Sequence, residues 1–201
     1  DAVPVSEMVG LARWAIARTR DLQDELVAAY RNYDFHLIYQ KVHNFCVVDL
    51  GGFYLDVIKD RLYTTPARGL PRRSAQTAMQ AIVEAMVRWL APILSFTAEE
   101  IWRHMPGARP ESVFFSTWST LPTVAETATL VNWPALLDAR GAVLRELERL
   151  RVAGQIGAPL DAVLDLYAAP ELRAPLEALG EELRFVMITS EARVHAAEAR
   201  P

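Results

Sequence analysis

The spacing of apolar residues predicts that the first third of the chain folds into two long helices. From Ser6 to about Tyr30, apolar side chains recur every three to four positions, which is the period of one helix face. A polar break follows at 31–34. From Asp34 to about Leu62 the apolar positions cover nearly the whole circumference, and a helix of that kind is packed on several sides. We therefore expect this second helix to be the central helix of a bundle.

Three further helices are predicted downstream, separated by stretches rich in Pro. Pro and Gly interrupt regular structure, so we expect loops or connectors where they cluster. The predicted helices span Arg73 to Leu90, Phe96 to Met105 and Trp133 to Ala153; the predicted loop spans Tyr63 to Pro71, and the predicted connector spans 107–132 with a short strand at Val113–Trp118. Thr97 and Glu100 have the spacing of a helix-capping pair.

The period of the apolar pattern changes near the C-terminus. Short β-type runs at Ala162–Ala168 and Arg184–Thr189 flank a helical stretch at Glu171–Leu179. The order strand, helix, strand predicts a small α/β unit. The expected fold is therefore mainly α, a helical bundle followed by a small α/β section. The predicted domains are 1–131, the bundle with its connector, and 132–201, the last long helix with the α/β section.

The composition is that of an ordinary globular protein, with 201 residues, 52% of them apolar and 23% charged. Cys46 is the only cysteine, so the chain cannot form an internal disulfide or a cysteine-based zinc site, which fits a reducing compartment. No stretch reaches the about 20 apolar residues of a membrane span, and the first residues lack a secretory pattern. We therefore expect a soluble, cytoplasmic protein with no membrane partner.

Residue types that often carry catalysis occur in the second predicted helix, but structural roles explain them better. His36 and His43 share a helix face without a third metal ligand, so a partly buried, hydrogen-bonded pair is expected. Asp49, Asp56 and Asp60 are expected to pair with an arginine of a neighbouring helix, such as Arg88 or Arg73. Cys46 has no base nearby and is expected to be an inert core thiol. We expect no catalytic residue and no metal site in this chain.

A cluster of cations marks the segment 59–73, where the second and third predicted helices meet. The segment contains five basic residues and one acidic residue, Asp60, which gives an excess of four positive charges. Arg and Lys neutralise phosphates, and an aromatic ring can stack on an unpaired base. The candidate residues are Lys59, Arg61, Tyr63, Arg68, Arg72 and Arg73. A solvated basic loop would have the same composition, so this pattern alone leaves RNA binding and a plain surface loop both open.

The sequence resembles a known family over nearly its whole length. The stretches Tyr33–Thr64, Arg72–Met79 and Val87–Trp102 resemble the anticodon-binding region of bacterial isoleucyl-tRNA synthetases, which are class I aminoacyl-tRNA synthetases. The likeness continues in Gly157–Leu172 and Leu179–Ser190, which resemble the section after the bundle. Parts of the bundle are similar in looser form to valyl-type synthetases, for which a C-terminal coiled coil would be expected.

The resemblance implies that the chain binds the anticodon arm of tRNA(Ile) and works beside the catalytic and editing domains of a parent enzyme. The ATP-binding signatures of that family and its four-cysteine zinc module do not occur in these 201 residues. The resemblance therefore implies a non-catalytic piece of an isoleucine–tRNA ligase. ATP with Mg²⁺, and zinc, would be cofactors of the parent enzyme and not of this chain.

The resemblance also places the end of the second helix near the anticodon, where the six candidate residues lie. The expected role of their cations is to neutralise phosphates of the anticodon arm, while the Tyr63 ring meets splayed bases. Two alternatives stay open at this point. One is the corresponding region of a valyl-type synthetase, and the other is a helical protein-interaction domain that does not bind RNA.

Overall fold

The computed structural model describes residues 2–124 and 132–200, which form two compact units. Within these ranges the first unit contains 2–56 and 61–124, and the second contains 57–60 and 132–200. Residues 125–131, the end of the predicted connector, lie outside the described part. None of the helices described is both long enough and apolar enough to cross a membrane.

The first unit consists of helices joined by short turns, as the apolar spacing predicts. Its helices are α1 (Gly10–Arg31), α2 (Phe35–Asn44), α3 (Leu55–Thr64, without 57–60), α4 (Leu70–Leu90) and α5 (Ser95–His104), with 3₁₀ turns at Val5–Glu7 and Val113–Phe115. A π-helical segment, Phe45–Tyr54, joins α2 directly to α3. The second predicted helix is therefore confirmed as one continuous helical run with π geometry in its middle.

The π-helical segment explains a pair of exposed glycines in that run. A Cβ on Gly51 would lie 3.1 Å from the carbonyl oxygen of Cys46, and a Cβ on Gly52 would lie 3.2 Å from that of Val47. In both cases the carbonyl belongs to the residue five positions earlier, which is the residue a π turn brings near. The wider turn also keeps Phe45 and the residue five positions later, Leu50, both buried.

α1 and α4 pack side by side and run in the same direction. Near their N-terminal ends the backbone N–H of Val9 donates to Ser74 Oγ at 3.4 Å. Near their C-terminal ends the hydroxyl of Tyr30 donates to the carbonyl oxygen of Trp89 at 2.6 Å. Two parallel neighbours need a connection that returns along the bundle, and the run from α2 to α3 supplies it.

Trp89 is completely buried, and its polar group is satisfied inside the core. Its Nε1–H donates to Gln23 Oε1 at 3.0 Å, and Gln23 Nε2 donates in turn to the carbonyl oxygen of Ser119 at 2.8 Å. The ring of Phe45 packs edge-on against Trp89, with 6.0 Å between ring centroids. This hydrogen-bonded chain fixes the lateral position of α4 against α1, because a buried N–H without an acceptor is costly.

The predicted capping pair at the start of α5 is wrong. The helix begins at Ser95, after Leu94, and no side chain caps its N-terminus. Thr97 therefore lies inside the first turn instead of before it, where its hydroxyl cannot act as an N-cap. Phe96, between Ser95 and Thr97, is 94% exposed.

The strand predicted at Val113–Trp118 is also wrong, because the chain makes a single 3₁₀ turn there. The carboxylate of Glu99 accepts hydrogen bonds from Ser112 Oγ at 2.8 Å and from the backbone N–H of Val113 at 3.1 Å. These bonds turn the backbone towards α5 at the point where a strand would extend it. Val113 is buried in a small cluster with the ring of Trp102.

The second unit pairs one long helix with a small α/β section. Its elements are α6 (Trp133–Val152), β1 (Val163–Ala168), α7 (Pro170–Glu177), α8 (Glu182–Met187) and β2 (Glu191–Ala196). The two strands are parallel, with Val163 opposite Glu191 and Ala168 opposite Ala196. Helices and strands together confirm the expected fold class, a mainly α chain with a small α/β part.

The second strand of this section does not lie where the sequence predicts it. The apolar run Arg184–Thr189 falls largely in α8, and the strand is Glu191–Ala196, so the predicted position is wrong. Val186 and Met187 follow Leu183 by three and four positions, so these three buried residues lie on one helix face. Packing of this face between α6 and the sheet decides in favour of the helix.

Candidate nucleic-acid interface

The predicted basic segment forms the connection between α3 and α4. Tyr63 lies in the last turn of α3 and is 83% exposed. Arg68 lies exposed in the loop, and Arg72 and Arg73 lie half-buried in the first turn of α4. Four of the six predicted residues therefore share one end of the first unit.

A tight turn holds Arg68 at the tip of this connection. The backbone N–H of Gly69 donates to the carbonyl oxygen of Pro66 at 2.8 Å, which closes a four-residue β-turn with Arg68 at its third position. A Cβ on Gly69 would lie 3.1 Å from that same carbonyl oxygen. The glycine therefore allows the close approach that keeps the turn narrow.

The first turn of α4 carries positive charge where helices usually carry negative charge. It contains Pro71, Arg72 and Arg73, with no acidic residue and no side-chain cap. The N-terminal end of a helix has a partial positive charge that acidic side chains or bound anions stabilise. Two arginines at this end are therefore unfavourable for the helix alone and favourable for an anionic partner.

Arg68 and Arg72 have no ion-pair partner among the described residues. On α6, for comparison, Arg149 pairs with Glu146 at 2.6 Å, and Arg151 pairs with Glu148 at 2.7 Å. A surface guanidinium that no carboxylate neutralises retains its full charge for a phosphate. The connection between α3 and α4 therefore presents at least two cations and one exposed ring.

Arg61 occupies a different place from the other predicted residues. It is 1% exposed, so its side chain lies in the core and the expectation of a direct RNA contact does not fit this position. The phenol of Tyr54 is close by; burial raises the pKa of Tyr54 well above its ordinary value, and the charge of Arg61 offsets part of that rise. A charged residue in a polar stretch of sequence gives no sign of such burial.

Lys59 is exposed on α3 and groups with the second unit. We therefore describe the interface by the four residues of the first unit, Tyr63, Arg68, Arg72 and Arg73, and call it the basic end. Lys59 stays a predicted contact outside it.

Two amide side chains beside the basic end were missed by the sequence reasoning. Gln76 and Gln80 follow Arg72 by one and two turns of α4. With Arg73 and Thr77 they line a groove of about 250 Å³. Amide side chains donate and accept at once, so they suit the edges of bases. The spacing of four positions along a predicted helix was the signal that could have found them.

The other candidate residues of the second helix take structural or surface positions. Asp49 pairs with Arg18 on α1 at 2.9 Å; burial raises the pKa of Asp49, and Arg18 offsets part of that rise. This confirms the predicted pairing of Asp49 with an arginine of a neighbouring helix, but the partner is Arg18; Arg88, one of the two arginines named as examples, pairs with Glu84 at 2.6 Å. Arg18 is the better placed residue because α1 packs directly against this helical run.

The structure also shows how far the two histidines and the cysteine of the second predicted helix are buried. His36 and His43 are both exposed, so the prediction that they are partly buried is wrong. Cys46 is half-buried, and burial raises the pKa of its thiol, which keeps the thiol protonated and poorly nucleophilic. Residues 2–124 and 132–200 contain no group of three or more His, Cys, Asp or Glu side chains placed to hold a metal ion.

Residues 12–166 match the family described as the anticodon-binding domain of tRNA ligase, and the chain belongs to this family. Similar proteins include the isoleucine–tRNA ligases of Halorhodospira halophila, 58% identical over 100% of this chain, and Nitrosococcus oceani, 56% identical over 99%. The isoleucine–tRNA ligase of Thioalkalivibrio sulfidiphilus is 56% identical over 100% of the chain. The chain spans 22% of the length of each of these three relatives.

The alternatives that the sequence left open are less consistent with these findings. The valyl-type interpretation calls for a C-terminal coiled coil, whereas the described residues from 163 to 196 form two parallel strands and two short helices. A helical domain with no RNA partner does not fit the family to which the chain belongs.

Proposed function

We propose that this chain binds the anticodon arm of tRNA(Ile) as part of an isoleucine–tRNA ligase. Membership of the anticodon-binding family supports the first part, and the similarity to isoleucine–tRNA ligases supports the choice of tRNA. The observation that carries the proposal is the basic end itself, where Arg68 and Arg72 lack carboxylate partners in the described part of the chain and Tyr63 exposes its ring.

In this proposal the arginines and the ring have separate tasks. Arg68 and Arg72 neutralise phosphates of the anticodon loop, and a guanidinium does this with two parallel hydrogen bonds. Tyr63 stacks on a base that has left the helical stack, which is how single-stranded loops are usually recognised. Gln76 lies one turn along α4 and offers its amide to a base edge. Phosphate contacts then supply affinity, while the stacking and amide contacts supply selectivity.

The chemical step of aminoacylation belongs, in this proposal, to the rest of the ligase. The binding energy collected at the anticodon positions the distant acceptor end of the tRNA for reaction. ATP with Mg²⁺, and zinc, would bind in other parts of such an enzyme. We place the activity in the cytoplasm, where tRNA is charged.

A salt titration of tRNA binding tests the proposal. The dissociation constant of the 201-residue chain is measured for tRNA(Ile) and for the same tRNA with an altered anticodon, between low and physiological salt. We expect binding that weakens with salt, by a log–log slope of about 0.7–0.9 for each phosphate contacted, and that weakens again with the altered anticodon. Equal binding of both tRNAs, or no binding of either, would contradict anticodon recognition by this chain.

A further inference from the structure

Thr65 is the residue at which α3 ends and the loop to α4 begins. Its backbone is extended, with φ −87° and ψ 155°, and it is half-buried. Its hydroxyl donates a hydrogen bond to the carbonyl oxygen of Arg61, four residues earlier. The last carbonyls of a helix lack partners within the helix, so this bond satisfies one of them and ties the loop to the final turn of α3.

The other end of this attachment is fixed by burial. Arg61 is 1% exposed, and Tyr54, whose phenol lies near its charge, is completely buried. Tyr54 also donates a 3.4 Å hydrogen bond to the carbonyl oxygen of Ala75 on α4. Side chains in a closely packed protein core have little freedom to move. The carbonyl group of Arg61 is therefore a fixed point under the basic end.

Thr65 also contacts Arg72 across the loop. The carbonyl oxygen of Thr65 accepts a hydrogen bond from Arg72 Nη1 at 3.4 Å. Arg72 Nε is buried and has no hydrogen-bond partner within the described ranges, and no carboxylate there pairs with this side chain. Among the described residues, the Thr65 carbonyl is thus the one hydrogen-bond acceptor of the Arg72 guanidinium.

We propose that Thr65 is a positioning residue for RNA binding, which holds the guanidinium of Arg72 in the direction of a tRNA phosphate. This inference rests on the proposed function. The hydroxyl of Thr65 fixes its backbone to Arg61, and its carbonyl then sets the position of Arg72. Arg61 contributes to binding through this path without touching RNA, and that accounts for a buried cation within a basic segment.

The test is a double-mutant cycle on tRNA binding with Thr65→Val, Arg72→Ala and the pair together. Valine has the shape of threonine without the hydroxyl, and Thr65→Ser restores the hydroxyl. We expect Thr65→Val to weaken binding about three- to tenfold and to lower the log–log salt slope by up to about 1, the value for one phosphate contact. Thr65→Ser should bind like the parent chain. Thr65→Val should have no further effect once Arg72 is alanine, because the two residues act on one contact.

Thr97→Val serves as the matched control, since Thr97 is exposed on α5 and should leave both affinity and slope unchanged. Thr65→Ala provides a second hydroxyl-free variant, and circular dichroism checks that each variant is helical. Additive effects of Thr65→Val and Arg72→Ala, or wild-type binding by both hydroxyl-free variants, would overturn the positioning role. If Arg72→Ala itself leaves binding unchanged, the basic end is not the RNA surface, and the proposed site fails together with this inference.

Discussion

The hydroxyl of Tyr30 donates a 2.6 Å hydrogen bond to the carbonyl oxygen of Trp89, and this bond joins the C-terminal ends of α1 and α4. Arg72 lies at the opposite end of α4, a helix of 21 residues and therefore about 30 Å long. The Tyr30 end exposes aromatic residues, with Tyr33 78% exposed and Phe96 94% exposed. The first unit is thus basic at one end and aromatic at the other, and substitutions at the two ends test different properties.

Charge reversal at the basic end should weaken tRNA binding without unfolding the chain. We expect Arg68→Glu and Arg72→Glu each to lower affinity about tenfold or more and to reduce the salt slope by about 1, since each removes one phosphate contact. Arg149→Glu on α6 adds the same charge change elsewhere and is the control. Binding measured by filter retention over a range of salt gives both quantities, and an equal loss in the control would indicate a general charge effect.

Charge reversal of Arg61 should behave differently from charge reversal of Arg68 or Arg72. It would place a carboxylate in a position that is 1% exposed, so the main result should be a lower melting temperature. We expect the loss of stability to exceed about 3 kcal/mol, the usual cost of an uncompensated buried charge. Thermal unfolding followed by circular dichroism measures it. A variant as stable as the parent chain would show that this side chain can leave the core.

Removal of the Tyr63 ring should affect binding to unpaired bases and not stability. The side chain is 83% exposed, so Tyr63→Ala removes little buried surface. We expect a loss of about 1–3 kcal/mol of binding free energy for an anticodon stem–loop, the typical value of one stacked base. Tyr63→Phe keeps the ring and should bind like the parent chain. If both variants bind equally well, the ring does not stack.

The acceptor for the buried indole should matter for stability and not for RNA binding. Gln23→Leu keeps the size of the side chain but leaves Trp89 Nε1 without its 3.0 Å partner. An unsatisfied buried donor costs about 1–3 kcal/mol, which urea unfolding should detect. Gln40→Leu, at an exposed position on α2, is the matched control and should change stability little. An equal effect of the two substitutions would contradict the role of the hydrogen bond.

The contact of Glu99 with the 112–113 turn should give a pH-dependent contribution to stability. The hydrogen bond from Ser112 Oγ is the main reason that the pKa of Glu99 lies below its ordinary value of 4.5, with the N–H of Val113 and the charge of Arg103 adding to it against the opposing effect of burial. A lowered pKa in the folded state stabilises the fold above pH 4.5, and this contribution is lost as the pH falls through the lowered value.

Glu99→Gln should therefore be less stable than the parent chain at neutral pH, and the difference should shrink below about pH 4.5. Urea unfolding at several pH values measures it. Glu100→Gln, at an exposed neighbouring position, is the control and should show no such convergence. A difference that stays constant down to pH 3 would mean that ionisation of Glu99 does not contribute.

The long helices of both units could be predicted because their information is local. Apolar residues that recur every three to four positions, interrupted by Pro and Gly, gave the extent of α1, α4 and α6 to within a few residues. The C-terminal α/β section could be predicted in kind but not in detail. A short apolar run fits a helix or a strand equally well, so only packing between α6 and the sheet decided that Arg184–Met187 is helical.

The candidate site was likewise predictable in part from the sequence and in part only from the structure. Sequence alone determined that positive charge and an aromatic ring gather between α3 and α4, because all of these residues lie within fifteen consecutive positions. The tertiary structure decided which of them can meet a ligand. It buried Arg61, left Arg68 and Arg72 without carboxylates in the described ranges, and brought Thr65 to Arg72. Burial and pairing depend on neighbours distant in sequence, and the charge of a residue does not reveal them.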